Sequence, residues 1–220
     1  MRPLIIAIDG PSGVGKGTIA RALAAELGYR HVDSGAMYRA VGWKALQLGV
    51  PLDREDDLVA IAEQSVIEIS ATLVTIDGID ITRAIRTPEI DKAAAAVARL
   101  PRVRAVLVER QRALGANGGI VMEGRDIGTV VFPAADLKLY LDASAEERAR
   151  RRAQDPAHSG GPATLADVKT LLSERDRSDS TRTASPLYAA ADATVIDTTH
   201  VAIDTVVAQV MALVRARLSG

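Results

Sequence analysis

Apolar positions along this 220-residue chain fall into two rhythms. Short continuous runs rich in β-branched residues alternate with longer stretches in which apolar residues recur every three or four positions. The run "PLIIAID" at 3–9 predicts a buried strand, and helical spacing follows from about Gly17 to Leu27, stopping near Gly28. "RHVDSG" at 30–35 reads as a short connection before a second helical stretch at 36–48. Further on, "GGIVMEG" (118–124), "DLKLYLDA" (136–143) and "DATVIDTT" (192–199) predict three more buried strands. Between and after them, helical spacing marks Pro101–Leu114, "SAEERARRRAQ" (144–154), "TLADVKTLLSERDR" (164–177) and residues 200–218. Ser144 and Glu147 have the spacing of a capping box, and "DPAHSGGPA" (155–163) reads as a loop. The middle differs. "DREDDLVAIAEQ" (53–64) predicts a helix with Asp53 as N-cap, then "SVIEIS" and "TLVTI" alternate apolar and polar, with Asp77–Gly78 as a turn. "TPEIDKAAAAVARL" (87–100) returns to helix, with Pro88 early in it, so about 57–96 reads as a small α+β insertion.

Strands separated by helices imply an α/β fold, a mostly parallel sheet with helices on both faces. Ligands then bind beyond the carboxyl ends of the strands, where Asp9–Gly10 and Glu123–Asp126 fall.

Composition changes this picture mainly by exclusion. Lys and Arg total 27 against 28 Asp and Glu, a formal net charge of -1, so no general attraction to nucleic acid or anionic membrane is expected. The absence of Cys removes disulfides, thiol catalysis and Cys-based zinc sites. The three His (His31, His158, His200) have no metal-ligand spacing, and His31 is expected to be structural. No apolar run reaches membrane-spanning length, and a soluble, cytoplasmic protein is expected.

The candidate chemistry starts at "DGPSGVGKGT" (9–18), where Gly10 to Lys16 fits G-x-x-x-x-G-K. Glycines let successive backbone amides converge on phosphate oxygens, the helix behind presents its positive end to the same anion, and Lys16 adds a mobile charge. Gly17 stands where Ser or Thr follows the lysine in the general motif, and Thr18 comes one later, a form similar to that of nucleoside-monophosphate kinases. Thr18 is then the hydroxyl expected nearest Mg2+, directly or through water. A phosphate loop alone leaves kinase, GTPase and motor ATPase open. The only Asn is Asn117, with no Lys after it, so the guanine-reading Asn-Lys-x-Asp loop is absent. Arginines gather at Arg39, 102–112, Arg125 and 148–182, as a second phosphate-bearing substrate would require. Arg148, Arg151 and Arg152 share one helix face beside a Gly-rich loop, as a closing lid would.

These blocks, together with "DSGAMYR" (33–39), "PRVRAVLVERQR" (101–112), "EGRDIGTVVFP" (123–133), "LDASAEERARRR" (141–152) and "ERDRSDSTRTASPL" (174–187), resemble the bacterial-type cytidylate kinase family over nearly the whole chain. The resemblance implies a single P-loop NTPase-type kinase domain over 1–220, the insertion at about 57–96 binding the monophosphate and a short lid at about 148–165. It implies phosphoryl transfer from ATP to CMP, with dCMP also accepted, by an Mg2+-dependent monomer. Carried over by position, Gly10, Pro11, Ser12, Gly13, Val14, Gly15, Lys16, Gly17 and Thr18 bind ATP, with Arg148, Arg151 and Arg152 closing over it. Ser34, Tyr38, Arg39 and Arg125 meet the acceptor phosphate, Asp126 orients it or contacts the base, and Arg104 reaches the cytosine. Arg175, Asp179 and Arg182 meet sugar and base. The implied catalytic set is Lys16, Arg125, Asp126, Arg148 and Arg151. Ala95 stands where the family often carries a base-contacting serine, which shifts recognition toward Arg104, Arg182 and a further acceptor. The alternatives are a kinase for another small acceptor (UMP, AMP or a shikimate-like alcohol) and a module that binds nucleotide without transferring phosphate.

Overall fold

The computed structural model describes residues 2–155 and 164–219. The expected lid therefore lies outside the described residues over 156–163. In chain order the first half holds β1 (Ile5–Asp9), α1 (Lys16–Leu27), β2 (Arg30–Asp33), α2 (Ser34–Gln47) and α3 (Glu55–Gln64). The short strands β3 (Ile67–Ile69), β4 (Val74–Ile76) and β5 (Ile79–Asp80) follow, then α4 (Pro88–Val97) and α5 (Pro101–Leu114). The second half holds β6 (Ile120–Gly124), a π-helical turn Ile127–Val131, β7 (Leu137–Asp142), α6 (Ala145–Ala153), α7 (Leu165–Thr181), β8 (Thr194–Asp197) and α8 (Ile203–Ser219).

A parallel sheet in the order β2-β6-β1-β7-β8 forms the centre. Each of its inner strands buries both faces, because consecutive side chains point opposite ways. Ile6 and Ile8 pack with Val121, Leu139 and the helices α1 and α8, through Ile19, Leu23, Val210 and Val214. Ala7, Ile120 and Met122 pack instead against Val108 of α5 and the π-turn residues Ile127 and Val131. Those continuous apolar runs are what a doubly covered parallel sheet demands. Register places Asp9 beside Gly124 and Asp33 beside Glu123, so the strand ends that open the site are level.

A second core lies outside the sheet. Antiparallel β3-β4-β5 and the helices α2 to α5 enclose Leu58, Ile76, Ile81, Ile85, Val97 and Leu107. Asp77 and Gly78 join β4 to β5 with φ of 52° and 79°, the paired positive values of a tight hairpin turn. Among the described residues no helix is long and apolar enough to cross a membrane.

The structure corrects three local expectations. Residues 30–33 are not a connection but the edge strand β2, which four residues with little apolar content conceal and pairing to β6 supplies. Asp53 is not the N-cap of α3: Arg54 takes that place with no side-chain cap bond. The capping box of α6 is half made. Ser144 Oγ accepts the Glu147 amide at 3.3 Å, but Glu147 spends its carboxylate on Arg150 and Arg151, and the Ser144 amide donates to Thr199 Oγ1 instead.

Candidate active site

Beyond Asp9 the chain turns under β7 so closely that a Cβ on Gly10 would stand 2.1 Å from the Leu141 carbonyl oxygen. Gly15 then caps α1 with φ 91°, a left-handed value that aims the first helical amides into the turn. Lys16 is buried, and its Nζ donates to the Pro11 carbonyl at 2.6 Å, across the mouth of the loop. Burial pushes its ammonium down to about 7, and the Arg125 guanidinium adds to the shift. Thr18 is exposed on the first turn of α1.

The loop is braced from behind by α6. Arg148 donates to the Ser12 carbonyl at 3.3 Å and is paired with Asp176. Arg151 donates to the Val14 carbonyl at 3.2 Å and to Thr198 Oγ1 at 3.0 Å. Glu147 orients Arg150 and Arg151, and they hold its carboxyl down at about 2. With the Ser12 and Val14 carbonyls so engaged, the amides of the loop and of the first turn of α1 are the groups left to meet an anion.

The loop opens on a cleft of about 920 Å³. Of the site residues expected from sequence, Ser12 to Thr18, Ser34, Tyr38, Arg39, Arg104, Arg125, Asp126, Arg151, Arg152, Arg175, Asp179 and Arg182 line it. Gly10, Pro11 and Arg148 do not; they lie behind the lining. At the end away from the loop, α2, α4, α5 and α7 build a second lobe. Arg104 pairs with Asp126, donates to the Ala98 carbonyl at 3.3 Å and lies 5.4 Å from the centre of the Tyr38 ring. Arg182 is anchored by the Ser185 carbonyl at 2.6 Å and reaches within 3.9 Å of Asp126. Burial, then Arg104, lowers the affinity of Arg182 for its proton. Arg125 donates to Asp179 at 2.8 Å; burial favours a neutral Asp179, but Arg125 and Arg175 outweigh it and hold the carboxyl below its usual range. Two buried donors in this lobe, Arg104 Nε and Arg182 Nη2, have no hydrogen-bond acceptor among the described residues. Such groups are costly unless a polar ligand meets them.

Both lobes hang from neighbouring strand ends. Asp9, at the end of β1, accepts the Ile127 and Gly128 amides at 2.8 and 2.7 Å, tying the phosphate loop to the π-turn that follows Arg125 and Asp126. Burial pushes the Asp9 carboxyl up to about 6 against the pull of those two amides. Ser34 Oγ donates to the Glu123 carbonyl at 2.7 Å, and Asp33 caps α2 by accepting the Ala36 amide. Sequence reasoning assigned no role in the site to Asp9, Arg86, Glu147, Thr198 or His200; the last four line the cleft, and Asp9 braces it through the π-turn. For Asp9 a signal existed: a carboxylate ending an otherwise apolar strand.

A family model described as cytidylate kinase matches residues 6–216. The chain belongs to the cytidylate kinase family. A cytidylate kinase of Desulfitobacterium hafniense (strain Y51) is 47% identical over 213 residues, 96% of this chain and 92% of that protein. The cytidylate kinase of Pelotomaculum thermopropionicum is 47% identical over 216 residues, 96% of each chain. A bifunctional pantoate ligase/cytidylate kinase of Synechococcus sp. (strain JA-2-3B'a(2-13)) is 47% identical over 99% of this chain, which spans 41% of that longer protein. Among solved structures, a gluconokinase from Sinorhizobium meliloti 1021 aligns with TM-score 0.51 at 16% identity, covering 99% of this chain and 95% of that one. A shikimate kinase from Bacteroides thetaiotaomicron aligns with TM-score 0.51 at 11% identity over 96% and 98% of the two chains. At such identities the likeness is one of fold.

Proposed function

We propose that this chain transfers the terminal phosphoryl group of ATP to CMP, giving ADP and CDP, with dCMP as a second acceptor. The observation that carries the reading is one cleft with an amide cradle at one end and, at the other, buried guanidinium donors left without acceptors. A pyrimidine offers O2 and N3 to such donors. Asp126, between Arg104 and Arg182, offers an acceptor to the exocyclic amino group that cytosine has and uracil lacks. Tyr38 and Ala95 line the same lobe.

Arg39 and Arg125 gather the acceptor phosphate with Ser34 beside them; Arg175, which the sequence alone sends to sugar and base, lines the same cleft and joins them there, while Asp179 meets the ribose hydroxyls. The insertion around 57–96 carries the acceptor side, and a lid of about 148–165, which takes in the second half of α6, the donor side. Lys16 follows the transferring group; Arg148 and Arg151 keep the loop amides aimed at it, and Arg152 closes from the same helix. The acceptor phosphate is already an anion, so no strong base is needed; the chain's work is to align two anions and cancel their repulsion.

Among the described residues no group of three His, Asp or Glu could hold a metal alone. Thr18 and the Glu123 carboxylate, whose Oε1 lies 3.0 Å from where a Gly17 Cβ would stand, are oxygen donors suited to a hard cation carried in on nucleotide phosphates. Mg2+ bound there would neutralise phosphate charge. The setting we infer is the cytoplasm, as a monomer without nucleic-acid or membrane partners, which light scattering and fractionation test.

A coupled assay at fixed ATP and Mg2+ across CMP, dCMP, UMP, AMP and shikimate tests the reading. CMP is expected to give the highest kcat/KM. Turnover of UMP or AMP equal to that of CMP would reject it, and ATP binding without product from any acceptor would favour a non-transferring module.

A further inference from the structure

Asp91, in the first turn of α4, has no part in the roles described so far. Its Oδ1 lies 2.7 Å from Arg39 Nη2 and 3.3 Å from Arg175 Nη1, and its Oδ2 pairs with Arg152 Nη2. Three elements, α2, α7 and α6, thus each send a guanidinium to one carboxylate on a fourth. Those guanidiniums are the ones given above to phosphates, two on the acceptor side and one on the donor side. Asp91 also stands one turn before the cleft lining of its own helix. Asp91, Ala94, Ala95 and Ala98 fall at i, i+3, i+4 and i+7, and the three alanines line the cleft. That face therefore offers methyl groups to a ligand and one carboxylate to the cations around it.

A carboxylate and a phosphate satisfy a guanidinium in the same two-point manner, and two anions sharing one set of cations repel each other. We propose that Asp91 is an internal counter-ion that stands in for substrate phosphate: it holds Arg39, Arg152 and Arg175 together until phosphate displaces it, and it reclaims them as product leaves. The inference rests on the function proposed above and adds a control on affinity at that site. It explains how three like-charged side chains stay gathered without ligand. It also means that substrate binds more weakly than the arginines alone would allow, and that product, carrying still more negative charge, meets a competitor already in place. Arg39 has a second tether, donating to the Ile85 carbonyl at 3.0 Å, which keeps it in the cleft when Asp91 releases it.

The test is isothermal titration of CMP and, separately, inorganic phosphate into the unaltered protein and into Asp91→Asn, which keeps the shape and removes the charge. Both ligands are expected to bind the variant about tenfold more tightly, the size of effect from removing one like charge beside a bound anion in a half-wet cleft. CDP release should slow, so kcat and KM for CMP fall together. Asp91→Glu, which restores the charge, should return affinity toward the unaltered level. Phosphate binding that is no tighter to Asp91→Asn, or undetectable in both proteins, overturns the inference. Unaltered protein that binds phosphate but not CMP counts against the proposed function instead. Should the variants fail to fold, a crystal structure of the unaltered protein with CMP decides: Asp91 should have left at least two of its three guanidiniums, and retention of all three overturns the proposal.

Discussion

At Lys16 the fold sets an ammonium where burial strips its water and Arg125 repels it, while the Pro11 carbonyl, 2.6 Å away, and the charges of Glu123 and Asp9 offset this only in part. Near pH 7 the group sits close to half-protonated. Phosphate oxygens would favour its charged form, so ATP binding at pH 8 should take up protons, seen as a calorimetric enthalpy that varies with the ionisation heat of the buffer. An enthalpy independent of buffer would mean the lysine stays neutral or was charged already. Lys16→Met should lower kcat by about two to three orders of magnitude, as losing a charge aimed at the transferring group does, while near-UV circular dichroism stays unchanged. Asp126 tests selectivity at the same scale. Asp126→Ala should reduce the preference for CMP over UMP by at least about tenfold, read as the ratio of their kcat/KM values, since it removes the one carboxylate between Arg104 and Arg182.

At the scale of elements, β1 carries both sites. Its last residue, Asp9, fastens the π-turn by accepting hydrogen bonds from two backbone amides, and the next, Gly10, lies against β7 with no space for a side chain. Gly10→Ala must therefore shift backbone, and should cost about 2–3 kcal/mol or more in urea unfolding. The Asp9 carboxyl has its folded value raised to about 6 from 3.8, so the folded state keeps a proton there that the unfolded chain has lost. Its contribution is fully present below pH 3.8 and is lost as pH rises through about 6, a difference of about 3 kcal/mol. An Asp9→Asn variant should lack that decline in its unfolding free energy between pH 4 and 6. The motif at 10–16 was legible because glycine, lysine and the following helical spacing each restrict what can precede and follow them. The π-turn was not. "IGTVV" reads as an apolar run, and its form depends on the Asp9 carboxylate, more than a hundred residues away. The same holds for β2, whose partner strand lies 90 residues downstream.

For the whole molecule, strand and helix rhythm was enough to announce a parallel sheet covered on both faces, because apolar periodicity is written locally. Which arginine meets which carboxylate was not, because those pairs join α2 to α4, α5 to the segment after β6, and α6 to α7. Sequence placed Arg39, Arg104, Arg125, Arg175 and Arg182 around a second substrate by resemblance, while their acidic partners, Asp91 above all, emerged only once the chain was folded. The concentration of guanidiniums in one cleft of a chain with net charge -1 also bears on events before any complex exists. The outer surface must be acidic on balance, so the field outside the molecule converges on the cleft mouth and draws polyanions toward it from a distance. Capture of nucleotide should then be fast in dilute buffer and slow steeply as ionic strength rises, while the dissociation rate changes far less.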